Sequence, residues 1–383
     1  NSFTDIQIVD GVSVIGEDFR FMFDLAISPD GQYLYAPSQN LNKLMVFEIG
    51  TDGTLSLLES LTHLENDSQG NEITGLTRPE AITVSPDGKF VYVISQRDLS
   101  FTKSDISIFA VDETTGNLEF LGVEDLVNNS QEVLSWGQSV MVSPDGSHVY
   151  ATVGEVELGN PAIVVYDRDV NTGLLTHNTT YIGEPLANSE LVIRPSGDLI
   201  YGISDVYYSL FTYERASDGT LTQVQRLERT SNGVERKGLS SPRDIEIGID
   251  GQLYVSSLID AAIGVFEPDP STGLLSYYEA KEGVTDNVNG EETEMMFGVG
   301  QIAIGAPGNY LYSTADQTIN LFDITQLEGV APTLLLSSNS IDEEAGAGNP
   351  VGSFSLSNGQ SFTIDFVSGE GDTDNGSFNI NES

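Results

Sequence analysis

The chain contains no cysteine, which removes disulfide staples, thiolate zinc sites and cysteine nucleophiles at once. Histidine is nearly as scarce. His63, His148 and His177 are too few for a histidine-rich metal centre or a conventional triad, and packing or surface roles are expected for them. Basic side chains number 15 against 58 acidic ones, for a net charge of -43 over 383 residues. A field of that sign repels phosphate backbones and anionic lipid head groups, so neither nucleic acid nor a membrane surface is an expected partner. It attracts hard cations, which makes calcium the expected metal, and no motif calls for an organic cofactor. No apolar run approaches the roughly 20 residues of a spanning helix, so no membrane insertion is expected. No basic and apolar leader opens the sequence, and Asn1 reads as a mature N-terminus or an internal cut.

What the sequence does contain is a repeat. LAISPDGQYLYA from Leu25, ITVSPDGKFVYV from Ile82 and VMVSPDGSHVYA from Val140 are close copies. LVIRPSGDLIYG from Leu191, IEIGIDGQLYVS from Ile245 and IAIGAPGNYLYS from Ile302 are degenerate ones. The anchors Ser28, Ser85, Ser143, Arg194, Gly248 and Gly305 lie 51 to 58 residues apart. Two apolar alternating runs flank each S-P-D-G turn, where Pro presets the bend and Gly accepts positive φ. A third and a fourth run follow, joined by a second polar turn such as TTG or SDG. Four strands per copy, without helical periodicity, predict one blade of a β-propeller. The fold class expected is therefore all-β, a six-bladed propeller over residues 1–330. The residues flanking the first and last anchors make up one more repeat length, so the strand around Ile6–Val9 is predicted to complete the sixth blade.

These S-P-D-G copies resemble the lactonase-type propellers of large bacterial surface proteins. From residue 331 the stretch PTLLLSSNSIDEEAGAGNPVGSFSL resembles the first half of a bacterial cadherin-like repeat, an incomplete β-sandwich over 331–383. That second resemblance implies a calcium site with Glu343 as a ligand and Asp372 and Asp374 as further candidates.

Chemistry in a propeller is expected where the innermost strands begin. Five residues before each anchor stand Phe23, Glu80, Gln138, Ser189, Arg243 and Gly300; four before stand Asp24, Ala81, Ser139, Glu190, Asp244 and Gln301. Glu80 is a candidate acid or base, and Arg243 a candidate grip on a carboxylate or phosphate. Asp24, Glu190 and Asp244 place three carboxylates near one rim. Trp136, just ahead of its strand, offers a stacking face. Two oxygen-rich loops, Asn66–Glu72 and Thr285–Glu294, are candidates for calcium or glycan. Together these features suggest a binding or structural module of a secreted or cell-surface adhesin, supported by calcium. Its expected partner is an extracellular protein or glycan, or another copy of itself. Two alternatives stand beside that reading: a lactone or ester hydrolase working in the funnel, and a filament subunit assembled by strand exchange.

Overall fold

The computed structural model describes residues 24–51, 54–96, 103–154, 161–183, 189–231, 233–248 and 251–282. Beyond these it describes the strand segments 285–288, 291–294, 299–305, 310–315, 318–323, 334–336 and 354–356. The closing strand expected at Ile6–Val9, the rim residue Phe23, and the ligand candidates Glu343, Asp372 and Asp374 lie outside the described residues. So does the expected half-sandwich, apart from one short pair, β28 (Leu334–Leu336) with β29 (Phe354–Leu356).

Every repeat folds as one antiparallel sheet in strict chain order. The first sheet is β1 (Ala26–Ile27), β2 (Tyr33–Ser38), β3 (Lys43–Ile49) and β4 (Leu55–Thr62). The second is β5 (Pro79–Val84), β6 (Phe90–Gln96), β7 (Ser104–Val111) and β8 (Leu118–Asp125). The third is β9 (Gly137–Val142), β10 (His148–Val153), β11 (Ala162–Arg168) and β12 (Leu175–Ile182). The fourth is β13 (Leu191–Ile193), β14 (Leu199–Ser204), β15 (Ser209–Arg215) and β16 (Leu221–Glu228). After a hairpin of β17 (Thr230–Ser231) and β18 (Val234–Glu235) comes the fifth: β19 (Pro242–Ile247), β20 (Leu253–Ser257), β21 (Ala262–Pro268) and β22 (Leu275–Glu282). A second hairpin, β23 (Thr285–Val288) with β24 (Glu291–Glu294), precedes the sixth: β25 (Val299–Gly305), β26 (Tyr310–Ala315) and β27 (Thr318–Asp323).

The first strands of successive sheets neighbour one another, so they line the axis and the fourth strands form the periphery. Apolar clusters fill the gaps from the first sheet to the sixth: Tyr35 and Leu44 against Ile82 and Val91, Tyr92 and Ile106 against Val149 and Val164, and onward to Val265 against Ile302. The core is thus a series of inter-sheet layers.

The turns form for the reasons the sequence suggests. Ser28 Oγ donates to Asp30 Oδ1 (2.5 Å) and accepts from Tyr33 N (2.9 Å), and Gly31 has φ 72°. Ser85 with Asp87 and Ser143 with Asp145 repeat the arrangement. A lock between sheets repeats too. Tyr92, Tyr150 and Tyr201 donate their hydroxyls to the carbonyls of Gly173, Gly219 and Gly273 in the next sheet's outer turn, at 2.8 to 2.9 Å. Arg168 then bonds Tyr92 Oη and Asp87, and Arg215 bonds Tyr150 Oη and Asp145. In the first five sheets the outermost strand carries one extra residue (Leu58, Leu121, Asn178, Val224, Tyr278), a bulge that spoils the exposed edge for pairing with another chain.

Candidate active site at the channel mouth

Antiparallel order puts the start of each innermost strand, the turn between the second and third strands, and the connection from one sheet to the next on one end of the ring. There the backbone departs from regular pairing at the same place in three sheets. Pro79 pairs Ser95 and Ala81 pairs Ile94, which leaves Glu80 as an extra residue. Gln138 is extra between Gly137 and Ser139, and Arg243 between Pro242 and Asp244. Two residues earlier stand Arg78 (φ 50°), Trp136 (φ 63°) and Ser241 (φ 57°), all in the left-handed region. Their carbonyls accept from the amides of Gln96, Gly154 and Leu258. Such a conformation costs a non-glycine residue roughly 1–3 kcal/mol and gathers at functional sites. Bulges beside it re-aim side chains.

Glu80 is half-buried. Gln39, from the turn between β2 and β3, donates Nε2–H to Glu80 Oε1 (2.5 Å), and Arg78 Nη2 donates to Gln39 Oε1 (3.0 Å). Burial pushes the Glu80 carboxyl up to about 7, against the opposing pull of the Gln39 hydrogen bond and the Arg78 charge. Arg243 is more open, its side chain 44% exposed, with Asp205 at 4.0 Å. Glu80 and Arg243 stand at the same level on the second and fifth sheets, and no hydrogen bond or ion pair among the described residues joins them.

One step further in lie the carboxylates. Asp24 accepts from its neighbour Leu25 N (2.7 Å) and from Ile82 N of the second sheet (2.9 Å). Asp244 does the same with Ile245 N (2.7 Å) and Ile302 N of the sixth (2.8 Å). Each therefore staples one innermost strand to the next. Ser139 donates to Glu190 Oε1 (2.5 Å). Burial raises Asp24 and Asp244 to about 6, and it raises Glu190 and takes Glu246 to about 8 with added repulsion from Asp244 and Asp24. Hydrogen bonds hold Asp24, Glu190 and Asp244, of the first, fourth and fifth sheets, at the innermost strands.

Of the residues singled out by sequence, Asp24, Glu190 and Asp244 come together at the axis, while Glu80, Arg243 and the exposed Trp136 sit at the mouth. Sequence reasoning missed Gln39, Arg78, Asp205 and Glu246. Only Glu246 had a usable signal: its repeat position reads Ala26, Thr83, Met141, Val192 and Ala303 in the other copies. In the loop Asn66–Glu72, Asp67 is already engaged, since it accepts from the amides of Gln69, Asn71 and Phe120. Each histidine is held locally: His63 by Thr77, His148 by Arg215 and His177 by Thr180. Among the described residues no group of three or more histidine or acidic side chains has the arrangement of a metal site.

Residues 24–188 match the family model described as Lactonase, 7-bladed beta-propeller. The 6-phosphogluconolactonase of Klebsiella pneumoniae (strain 342) is 23% identical over 125 residues, 33% of this chain and 34% of that protein. That of Enterobacter sp. (strain 638) is 22% identical over 149 residues, 38% and 41%. These alignments span well under half of the curated relatives' length. The periplasmic gluconolactonase PpgL of Pseudomonas aeruginosa superposes with a TM-score of 0.60 at 16% identity, over 80% of this chain and 82% of that one. The propeller class is thereby established, and residues 24–188 are similar to lactonase-type propellers.

The same findings correct two expectations. The adhesin-like, non-enzymatic reading is overturned, because the matched family and relatives carry the names of lactonases. The secreted or cell-surface location falls with it: it was inferred from acidity and the C-terminal resemblance, and the relatives are named as lactonases, of which PpgL is named as periplasmic.

Proposed function

We propose that this chain is a hydrolase that opens lactone rings at the channel mouth, with Glu80 as the base. The supporting observation is the bulged Glu80, half-buried on the Gln39–Arg78 pair and poised near neutrality. As a carboxylate it takes a proton from water, whose oxygen attacks the ring carbonyl carbon. The bond from that carbon to the ring oxygen then breaks, and the departing oxygen takes the proton back from Glu80. One water is consumed and a hydroxy acid leaves. Arg243, exposed at the same level, faces the charge that develops on the carbonyl oxygen and remains on the product carboxylate. The test is turnover of a panel of δ- and γ-lactones by the full chain and by Glu80→Gln and Arg243→Ala. Hydrolysis lowered at least about a hundredfold by Glu80→Gln is expected. Undiminished turnover in that variant overturns the role of Glu80, and no turnover of any lactone overturns the reading.

A further inference from the structure

Two features of the mouth bear on which lactone it takes. The first is the pairing of its cations. Arg243 faces Asp205, Arg229 bonds Glu235 (2.7 Å) and Asp260 (3.0 Å), and Arg226 bonds Glu228 (3.3 Å). Arg78 lies in the field of Glu80, and beneath them all stand Asp24, Glu190, Asp244 and Glu246. In a chain of net charge -43, a phosphate dianion entering here meets arginines most of which already face acidic partners, and beneath them a floor of carboxylates.

The second feature is a set of exposed apolar residues on the mouth-facing turns of the fourth and fifth sheets. The turn from β14 to β15 presents Val206 and Tyr208, and the turn from β20 to β21 presents Leu258 and Ile259, the last 64% exposed. The corresponding turn of the first sheet reads Gln39-Asn40-Leu41-Asn42. These apolar residues are tied to the candidate site. Leu258 and Ile259 donate their amides to the carbonyls of Ser241 and Ser240, next to Arg243, and Val206 follows the Asp205 that faces Arg243. Tyr208 accepts from Arg229 N, and Arg229 reaches Asp260 beside Ile259. Both apolar turns are therefore anchored to the backbone or the ion-pair partner of the Arg243 position.

We infer that the lactone taken at this mouth is uncharged and carries an apolar substituent, which lies over the Val206–Tyr208 and Leu258–Ile259 turns. The inference rests on the lactonase reading and narrows its substrate class away from the phosphorylated sugar lactone named for the curated relatives. Burying one methylene is worth about 0.8 kcal/mol, or roughly fourfold in kcat/KM.

The experiment measures kcat/KM of the full chain for glucono-δ-lactone, its 6-phosphate, and δ-lactones whose alkyl substituent lengthens one methylene at a time. The uncharged sugar lactone should exceed its phosphate at least tenfold, and kcat/KM should climb roughly fourfold per methylene over the first few. In Ile259→Ser and Leu258→Ser, both exposed positions, the climb should flatten. Preference for the phosphate, or equal slopes in wild type and variants, overturns the inference. If no lactone is hydrolysed, the lactonase reading has failed and the apolar turns are judged separately, by calorimetric binding of the matching alkyl lactams. There the same difference in slope supports an apolar subsite, and a flat series overturns it.

Discussion

A carboxylate that removes a proton from water must be ionised at the working pH and still hold protons well. Glu80 meets both demands near pH 7, because burial raises its affinity for protons while Gln39 and Arg78 keep it from rising further. The rate should therefore climb with pH through about 7 as Glu80 ionises. In Glu80→Asp, where the carboxylate retreats from Gln39, that limb should move and weaken; in Glu80→Gln it should vanish, leaving a shallow profile. A wild-type profile flat between pH 5 and 8 counts against Glu80. Among structural residues, the repeat supplies its own control. Tyr92 Oη serves both Gly173 O and Arg168 Nε, whereas Tyr35, its copy in the first sheet, has a buried hydroxyl without a partner among the described residues. Tyr92→Phe should cost about 1–3 kcal/mol in chemical denaturation, since two buried groups lose their partner. Tyr35→Phe should be neutral or slightly stabilising. Equal losses in the two variants contradict this account of the lock.

At the scale of the strand and turn, the tight fit between sheets explains the second glycine of each repeat. Gly173 has φ 71°, and a Cβ there meets the Phe90 ring of the preceding sheet at 2.2 Å. Gly173→Ala should therefore destabilise by more than about 1 kcal/mol, through backbone strain and the clash together. A melting temperature unchanged by this substitution contradicts the fit. The repeat, its turns and the strand order were legible because each is written within one copy: S-P-D-G closes one hairpin and T-G or D-G the next. The mouth was half legible. Counting back from Ser85 and Gly248 reaches Glu80 and Arg243, but the bulges and left-handed residues ahead of them leave no mark in the pattern. Gln39 reaches Glu80 from another sheet, and no spacing rule predicts that. Asp24 and Asp244 read as free rim carboxylates, since the amides they accept, Ile82 and Ile302, sit 58 residues away. Function was misread for a related reason: acidity is a property of the whole surface, whereas a catalytic mouth needs only a few aimed groups.

Over the whole molecule, two sets of carboxylates pull stability in opposite directions with pH. At the axis, burial raises Asp24 and Asp244 from 3.8 to about 6 and Glu246 from 4.5 to about 8. A group raised on folding binds more protons in the native state than in the unfolded one, so its contribution is complete below about pH 4 and is lost as pH rises through its native value. On the turns the sign reverses. Asp145, despite burial, is held down at about 2 by Ser143, the Ser147 amide and Arg215, and Asp269 is held at about 2 by Ser271 and the Thr272 amide. Their contribution is present above about pH 4 and is lost as pH falls towards 2. Stability should therefore peak in mildly acidic solution and decline toward pH 8. Self-repulsion of the surface charge deepens the same decline, but salt separates the two causes: it screens exposed charges beyond roughly 10 Å at 0.1 M and hardly touches buried ones. In 0.5 M salt the urea midpoint should still be higher at pH 5 than at pH 8. Asp244→Asn removes one of the axial titrations, along with one of the two amide bonds. Its midpoint should be lower at pH 5, and its fall from pH 5 to pH 8 smaller than that of the wild type. A wild-type midpoint no lower at pH 8 than at pH 5 under these conditions means that the axial carboxylates are ionised throughout, and that the floor of the channel is wetter than its packing implies.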